Sequence, residues 1–231
     1  MTDQPSPPIV LALGQREIFT NATTAYVRAT LERLLPALVM PDPEVFECVE
    51  EARREARAQT GLAWDADDKV DQVATDLMRV SFNEQEFLRK QVLDFAFAGL
   101  FHLLERSVLK IVLEADKRNC KTVLNAKERK KNLHFKDIQC VLARCGYVTD
   151  EQSFTHDLHK LNLISNAVKH GQGGALTQLA DEFPDLFLRR APNETLVPEH
   201  LVLTPELLTQ LAASVAAFWG SFPTQQYSTE S

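Results

Sequence analysis

The chain has 231 residues, 45% of them hydrophobic and 25% charged, with a formal net charge of −7. This is globular composition, long enough to bury a core without disulfide or metal staples, and its acidity argues against indiscriminate nucleic-acid binding. The cysteines Cys48, Cys120, Cys140 and Cys145 form no C-x-x-C pair, which points to free thiols in a reducing cytoplasm and away from a zinc site.

Residues 1–9 contain Pro5, Pro7 and Pro8 and read as a loose tail. No basic region followed by an apolar stretch opens the chain, so no secretory signal is expected. A first helix is predicted from about Asn21 to Leu35, ended by Pro36. Asp42-Pro43 supplies an N-cap and a first-turn proline for a second helix that stops at Gly61. A third is expected across Asp65–Val80, its acid-rich start suiting the positive end of the helix dipole.

Asn83 and Glu86 then resemble a capping box. From Phe87 to about Asp116 the spacing places Val92, Phe95, Leu100, Leu104, Val108, Ile111 and Val112 on one wide apolar surface, the centre of a bundle. The apolar run Phe95–Leu104 is about half the ~20 residues needed to cross a bilayer, so no membrane span is expected.

Between Lys117 and Lys136 stand eight basic residues and one acid, Glu128, giving +7 there and −14 elsewhere. Such a patch, with Lys127, Arg129, Lys130 and Lys131 at its centre, suits a phosphate-bearing partner. It equally suits a solvated loop between helices. A short helix follows near Phe135–Cys145, stopped by Gly146.

The next helix, from about Ser153 to His170 with Gly171 as its C-terminal cap, is the most informative. At ~100° per residue, Phe154, Leu158, Leu161, Ile164 and Val168 form a buried stripe. Asn162, Lys169, Asn166, His159 and His170 gather within about a 100° arc on the other side. Two imidazoles, two amides and a lysine can bind phosphate, orient a hydroxyl or move protons near neutral pH. The bland alternative is an ordinary solvated face. His156 and His159 have metal-compatible spacing, but no further ligand is placed to complete a site, so no metal and no cofactor are expected.

His102 and Glu105 read as a polar seam or buried pair, or alternatively as part of the cleft that holds His170. Gly171-Gln172-Gly173-Gly174 follows a helix C-terminus, so it reads as a terminator and not a phosphate cradle. Phosphate-loop, zinc-protease and serine-hydrolase motifs are lacking. Residues 184–203 read as irregular, with a small hairpin at Leu196–Val202, and Thr204-Pro205-Glu206 opens a last helix through Trp219.

Asn166-Ala167-Val168-Lys169-His170-Gly171 closing a helix resembles the HEPN superfamily, the helical domains of ribonuclease toxins and antiviral defence proteins. Phe101-His102-Leu103-Leu104-Glu105-Arg106, the Gly171-Gln172-Gly173 exit, Pro184-Asp185-Leu186-Phe187 and Phe218-Trp219 agree with it in order. The resemblance covers about residues 85–222, leaving 1–84 as an N-terminal helical region and 223–231 as a tail. It implies an all-α bundle of about six to eight helices, to which the residues themselves add a minor hairpin near 190–203.

The resemblance further implies a homodimer in which two such helices form a cleft, and metal-independent cleavage of RNA. His170 would be the acid/base, Asn166 the orienting amide and Lys169 a phosphate contact. His159, Asn162, Lys127, Arg129, Lys130 and Lys131 would bind RNA, and an antitoxin or defence-system protein would be a possible partner. The family's arginine, usually directly before the asparagine, is replaced here by Ser165. The other spacings the motif allows fall on Ile164 and Leu163. A serine offers neither positive charge nor a bidentate fork to a phosphate. A catalytically silent module that binds RNA, a nucleotide or a protein therefore stands beside the ribonuclease reading, with a purely structural or regulatory helical protein whose basic segment contacts an acidic partner as the third.

Overall fold

The computed structural model describes residues 9–12, 14–38, 42–60, 67–119, 122–147, 153–171, 173–188 and 195–225. The protein is an all-α bundle. Among the described residues seven α-helices run as α1 (Gln15–Ala29), α2 (Asp42–Thr60), α3 (Asp67–Arg118), α4 (Phe135–Arg144), α5 (Ser153–His170), α6 (Gly174–Glu182) and α7 (Pro205–Gly220). They fall into two compact units, residues 29–93 and residues 1–28 with 94–231. The division does not follow chain order, because the first helix packs with the C-terminal half.

In the larger unit, α1 begins directly after Gly14, whose φ of +86° suits glycine, and Ile18 N–H reaches the Gly14 carbonyl at 2.9 Å. α1 and the second half of α3 run antiparallel. Gln15 meets Glu114 at one end, and Tyr26 Oη donates to the Ala96 carbonyl at 3.2 Å at the other. Tyr26 lies directly over Gly99, where any Cβ would collide with its hydroxyl.

Leu100, Leu104, Val108, Ile111 and Val112 of α3 are buried, as their spacing predicts, together with Phe97 and Phe101. From α7, Phe218 and Trp219 complete an aromatic centre, with Phe19 stacked on Trp219 at 4.7 Å and Phe154 edge-on to Phe218 at 5.8 Å. Two-residue strands, β1 (Leu11–Ala12) and β2 (Thr224–Gln225), pair in parallel and tie the ends of this unit together.

In the smaller unit, α1 widens past Ala29 into a π-type turn, Thr30–Leu34, where Leu35 N–H bonds the Thr30 carbonyl at 2.9 Å. A single 3₁₀ turn follows at Pro36–Leu38. Ala52 and Ala56 of α2 meet Ala74 of α3, flanked by Val73 and Met78. Arg53 crosses between the same helices to Asp71 at 3.1 Å.

Several expectations change. The helix predicted to end near Val80 and the one predicted to start at Asn83 are one helix, α3. Neither proline nor glycine interrupts residues 67–98, and extending a helix is far easier than starting a new one, so Asn83 and Glu86 do not act as a cap. Phe95, placed on the apolar surface, is 67% exposed. α1 starts at Gln15, ahead of the expected Asn21, and α6 was not expected at all.

No hairpin forms within the described part of 190–203. Instead Phe187 and Leu201 make an isolated antiparallel bridge, with Leu188 N–H to the His200 carbonyl at 2.9 Å and Val202 N–H to the Leu186 carbonyl at 2.7 Å. Pro198 starts a 3₁₀ turn and has no N–H to offer a ladder. Gly61, the expected stop of α2, lies outside the described residues; α4 and α7 fall within a residue or so of their predicted ends.

Candidate functional site on the polar face of α5

α5 is held from three sides. Phe154, Leu158, Leu161 and Ile164 are buried as predicted, while Val168 is half-buried. Against α7, Asp157 accepts a bond from Ser214 Oγ at 2.6 Å and faces Gln210. Against α6, Lys160 Nζ lies 4.9 Å from the centre of the Phe183 ring, which also meets His156 at 4.8 Å. α5 ends with Gly171 at φ +63°, and the Gly171 N–H closes the last turn on the Ala167 carbonyl at 2.9 Å.

The predicted polar residues divide into two groups along this face. Toward the C-terminal end, Asn166 Nδ2 donates to Asn162 Oδ1 at 3.0 Å, which fixes both amides on a half-buried ledge. One turn on, Lys169 and His170 are exposed, with Lys169 Nζ 5.7 Å above the Phe101 ring of α3. The ledge thus presents amides, an ammonium and an imidazole within two turns of helix, on a rigid element.

His159 is committed elsewhere. Its Nε2 meets Glu182 Oε2 at 2.8 Å, clasping α5 to the end of α6. Gln178 and then His159 hydrogen-bond the Glu182 carboxylate and hold it below the usual glutamate range. Residues 23 apart in sequence form this pair, and no periodicity on α5 announces it. The same holds for Phe101 beneath Lys169.

Ser165, directly before Asn166, is fully buried, in the middle of the apolar stripe. Among the described residues nothing hydrogen-bonds its Oγ. The ledge therefore has no cation from position 165, and Lys169 is its only lysine or arginine among the five predicted face residues.

Two cations of the basic segment are paired with acids that flank it. Asp116, buried at the end of α3, receives Arg129 Nε at 2.9 Å and Nη2 at 3.2 Å, along with the Leu124 N–H at 2.8 Å. Burial pushes its carboxyl upward, but the backbone N–H groups of Leu124 and Val123 and the Arg129 guanidinium outweigh this and leave it lowered. Glu128 is lowered chiefly by Arg144, which grips it with both terminal nitrogens at 2.7 and 2.8 Å. Lys131 binds Asp137 at 2.8 Å. Lys127 and Lys130 are exposed, at the cap and the end of the short 3₁₀ turn Glu128–Lys130.

His102 and Glu105 stand 3.9 Å apart with the histidine more than half exposed, a surface pair and not a buried one. No group of three or more His, Cys, Asp or Glu able to hold a metal occurs among the described residues. No described helix is long and apolar enough to cross a membrane.

The chain matches no protein-family model, no curated protein and no solved structure.

Proposed function

We propose that the protein is a HEPN-like helical module that acts on RNA through the C-terminal ledge of α5, as a metal-independent endoribonuclease of toxin or defence type. The observation that carries this reading is the ledge itself: the Asn162–Asn166 amide pair, with Lys169 and His170 exposed one turn beyond it. Exposed imidazole is the side chain best suited to take a proton from a ribose hydroxyl and return one to a leaving oxygen. Lys169 contributes a point charge to the phosphate in place of the missing guanidinium. Asn166, held by Asn162, orients the sugar or phosphate. A second copy of the chain closing over the ledge would exclude water from it.

One observation favours a second reading, the catalytically silent RNA-binding module. Ser165 is sealed in the core, so the cation that steadies the phosphorane in active relatives of this motif has no counterpart at that position. In both readings Lys127 and Lys130 extend the contact to the RNA backbone.

The test is incubation of the purified chain with mixed RNA in EDTA, beside His170→Ala and Lys169→Ala. Cleavage by the wild type that is lost in His170→Ala supports the ribonuclease. Salt-sensitive RNA binding without cleavage supports the silent module. Neither binding nor cleavage by a folded protein overturns both.

A further inference from the structure

Away from the α5 ledge, the larger unit carries an open groove of ≈ 670 Å³ between α1 and the last three turns of α3. Its floor is Phe19, Leu109 and Leu113, and its polar rim is Arg106, Lys110, Glu114 and Lys117. We infer that this groove binds a free long-chain amphiphilic anion, an alkyl chain ending in a carboxylate, with the headgroup at Arg106 and Lys110 and the chain along Leu109 and Leu113.

Three observations support this occupant. The first is charge. Three cations against one carboxylate leave the rim with an excess of +2, in a chain whose total is −7. The one carboxylate, Glu114, is already engaged by Lys110 at 4.0 Å and by Gln15 Nε2 at 3.3 Å. With Glu114 engaged by Lys110, the excess charge is carried by Arg106 and Lys117, and an incoming anion meets no free acid among the lining residues. Arg106, one helical turn from Lys110, brings the planar fork that pairs with a carboxylate.

The second is the chemistry of the floor. Leu113 is 42% exposed and stands beside Leu109 and Phe19, so the groove offers an accessible apolar surface. Ser107 is the one neutral polar side chain lining the groove, so a nucleobase edge finds almost nothing to hydrogen-bond there. An alkyl chain asks only for apolar contact. Phe19 is fixed as a wall by its 4.7 Å stack on Trp219.

The third is size. The groove falls within the roughly 300–1,000 Å³ of small-molecule sites. From Arg106 to Lys117 the helix rises about 16 Å, room for an extended chain lying along it.

The test is titration of the full chain with a dansylated undecanoate, followed by displacement with palmitate, palmityl alcohol and phosphatidylglycerol vesicles. Saturable binding that palmitate displaces, and the alcohol displaces about tenfold less well, is expected. Arg106→Gln with Lys110→Gln should weaken binding about tenfold. Leu113→Glu, at an exposed position and so compatible with folding, should abolish it, with circular dichroism and the RNA assay unchanged. The inference is overturned by an absence of saturable binding, by binding that survives Leu113→Glu, by equal displacement by the alcohol, or by capture on vesicles without displacement by the free acid.

Discussion

Arg129 is bound to Asp116 through two nitrogens, at 2.9 and 3.2 Å, and this pair sets how the basic segment of the chain can be used. Asp116 is buried at the end of α3 and also takes the Leu124 N–H, so one carboxylate closes the loop that leaves the helix and neutralises one of its cations. Lys131 is similarly engaged by Asp137. A run that counts as +7 in sequence therefore has two of its eight cations engaged by flanking acids.

Removing the acid should unravel this loop. Asp116→Ala is expected to cost about 2–3 kcal/mol in urea denaturation, since it deletes charge-assisted bonds and strands the Leu124 N–H. Asp116→Asn, which keeps an acceptor for that N–H, should cost less. Equal losses for both variants would mean that shape, and not these bonds, holds the loop.

The salt dependence of RNA binding separates free from committed cations. Lys127→Ala and Lys130→Ala should each lower the log–log salt slope by about 0.7 on single strands. Arg129→Ala should leave the slope nearly unchanged and lower the melting temperature instead. A slope that falls as much for Arg129→Ala as for Lys127→Ala would show that RNA displaces Asp116.

Ser165 carries a prediction about the missing arginine. Because its Oγ is buried without a partner, Ser165→Ala should be neutral or should stabilise by about 1 kcal/mol. Ser165→Arg places a guanidinium in the apolar stripe and should destabilise by several kcal/mol instead of raising cleavage. A well-folded Ser165→Arg protein with increased ribonuclease activity would show that α5 can turn this position outward.

At Gly99 the sign of the effect is the test. A glycine inside a helix normally gains about 1 kcal/mol on replacement by alanine. Here the new methyl would strike the Tyr26 hydroxyl, with Tyr26 Cζ at 2.9 Å, so Gly99→Ala should destabilise by about 1–3 kcal/mol. Tyr26→Phe in the same chain, by removing the nearest atom, should recover part of the loss. Thermal melts of the three variants decide it.

Acid should attack the same loop. Asp116 and Glu128 are both lowered in the folded chain, Asp116 by Leu124, Val123 and Arg129 against the opposing effect of burial, and Glu128 by Arg144 first. A lowered carboxyl contributes stability that is fully present above its unfolded value, about 4, and is lost as pH falls through the folded one. The urea midpoint should therefore be flat from neutral pH to about 5 and fall steeply below about 4, with a shallower fall in Arg144→Ala.

The sequence by itself determined that the chain is helical and where several of its helices begin or end. The dipeptide Asp42-Pro43, Gly146, Gly171 and Thr204-Pro205 mark boundaries through local backbone chemistry, and the period of α5 and α3 separates buried from exposed faces with few exceptions. These are properties of residues a few positions apart, where spacing alone sets the geometry. Only the tertiary structure decided what lay at long range: that α1 packs on the second half of α3, that His159 pairs with Glu182, that Lys169 lies over Phe101, and that Asp116 takes Arg129 out of the basic patch. It also decided that Ser165 faces inward. Its place in a motif sets Ser165 against an arginine, whereas its burial follows from standing between Leu161 and Val168 on the stripe that the bundle covers. Pairings of this kind depend on which elements meet, and that is settled by the packing of the whole core and not by any local pattern.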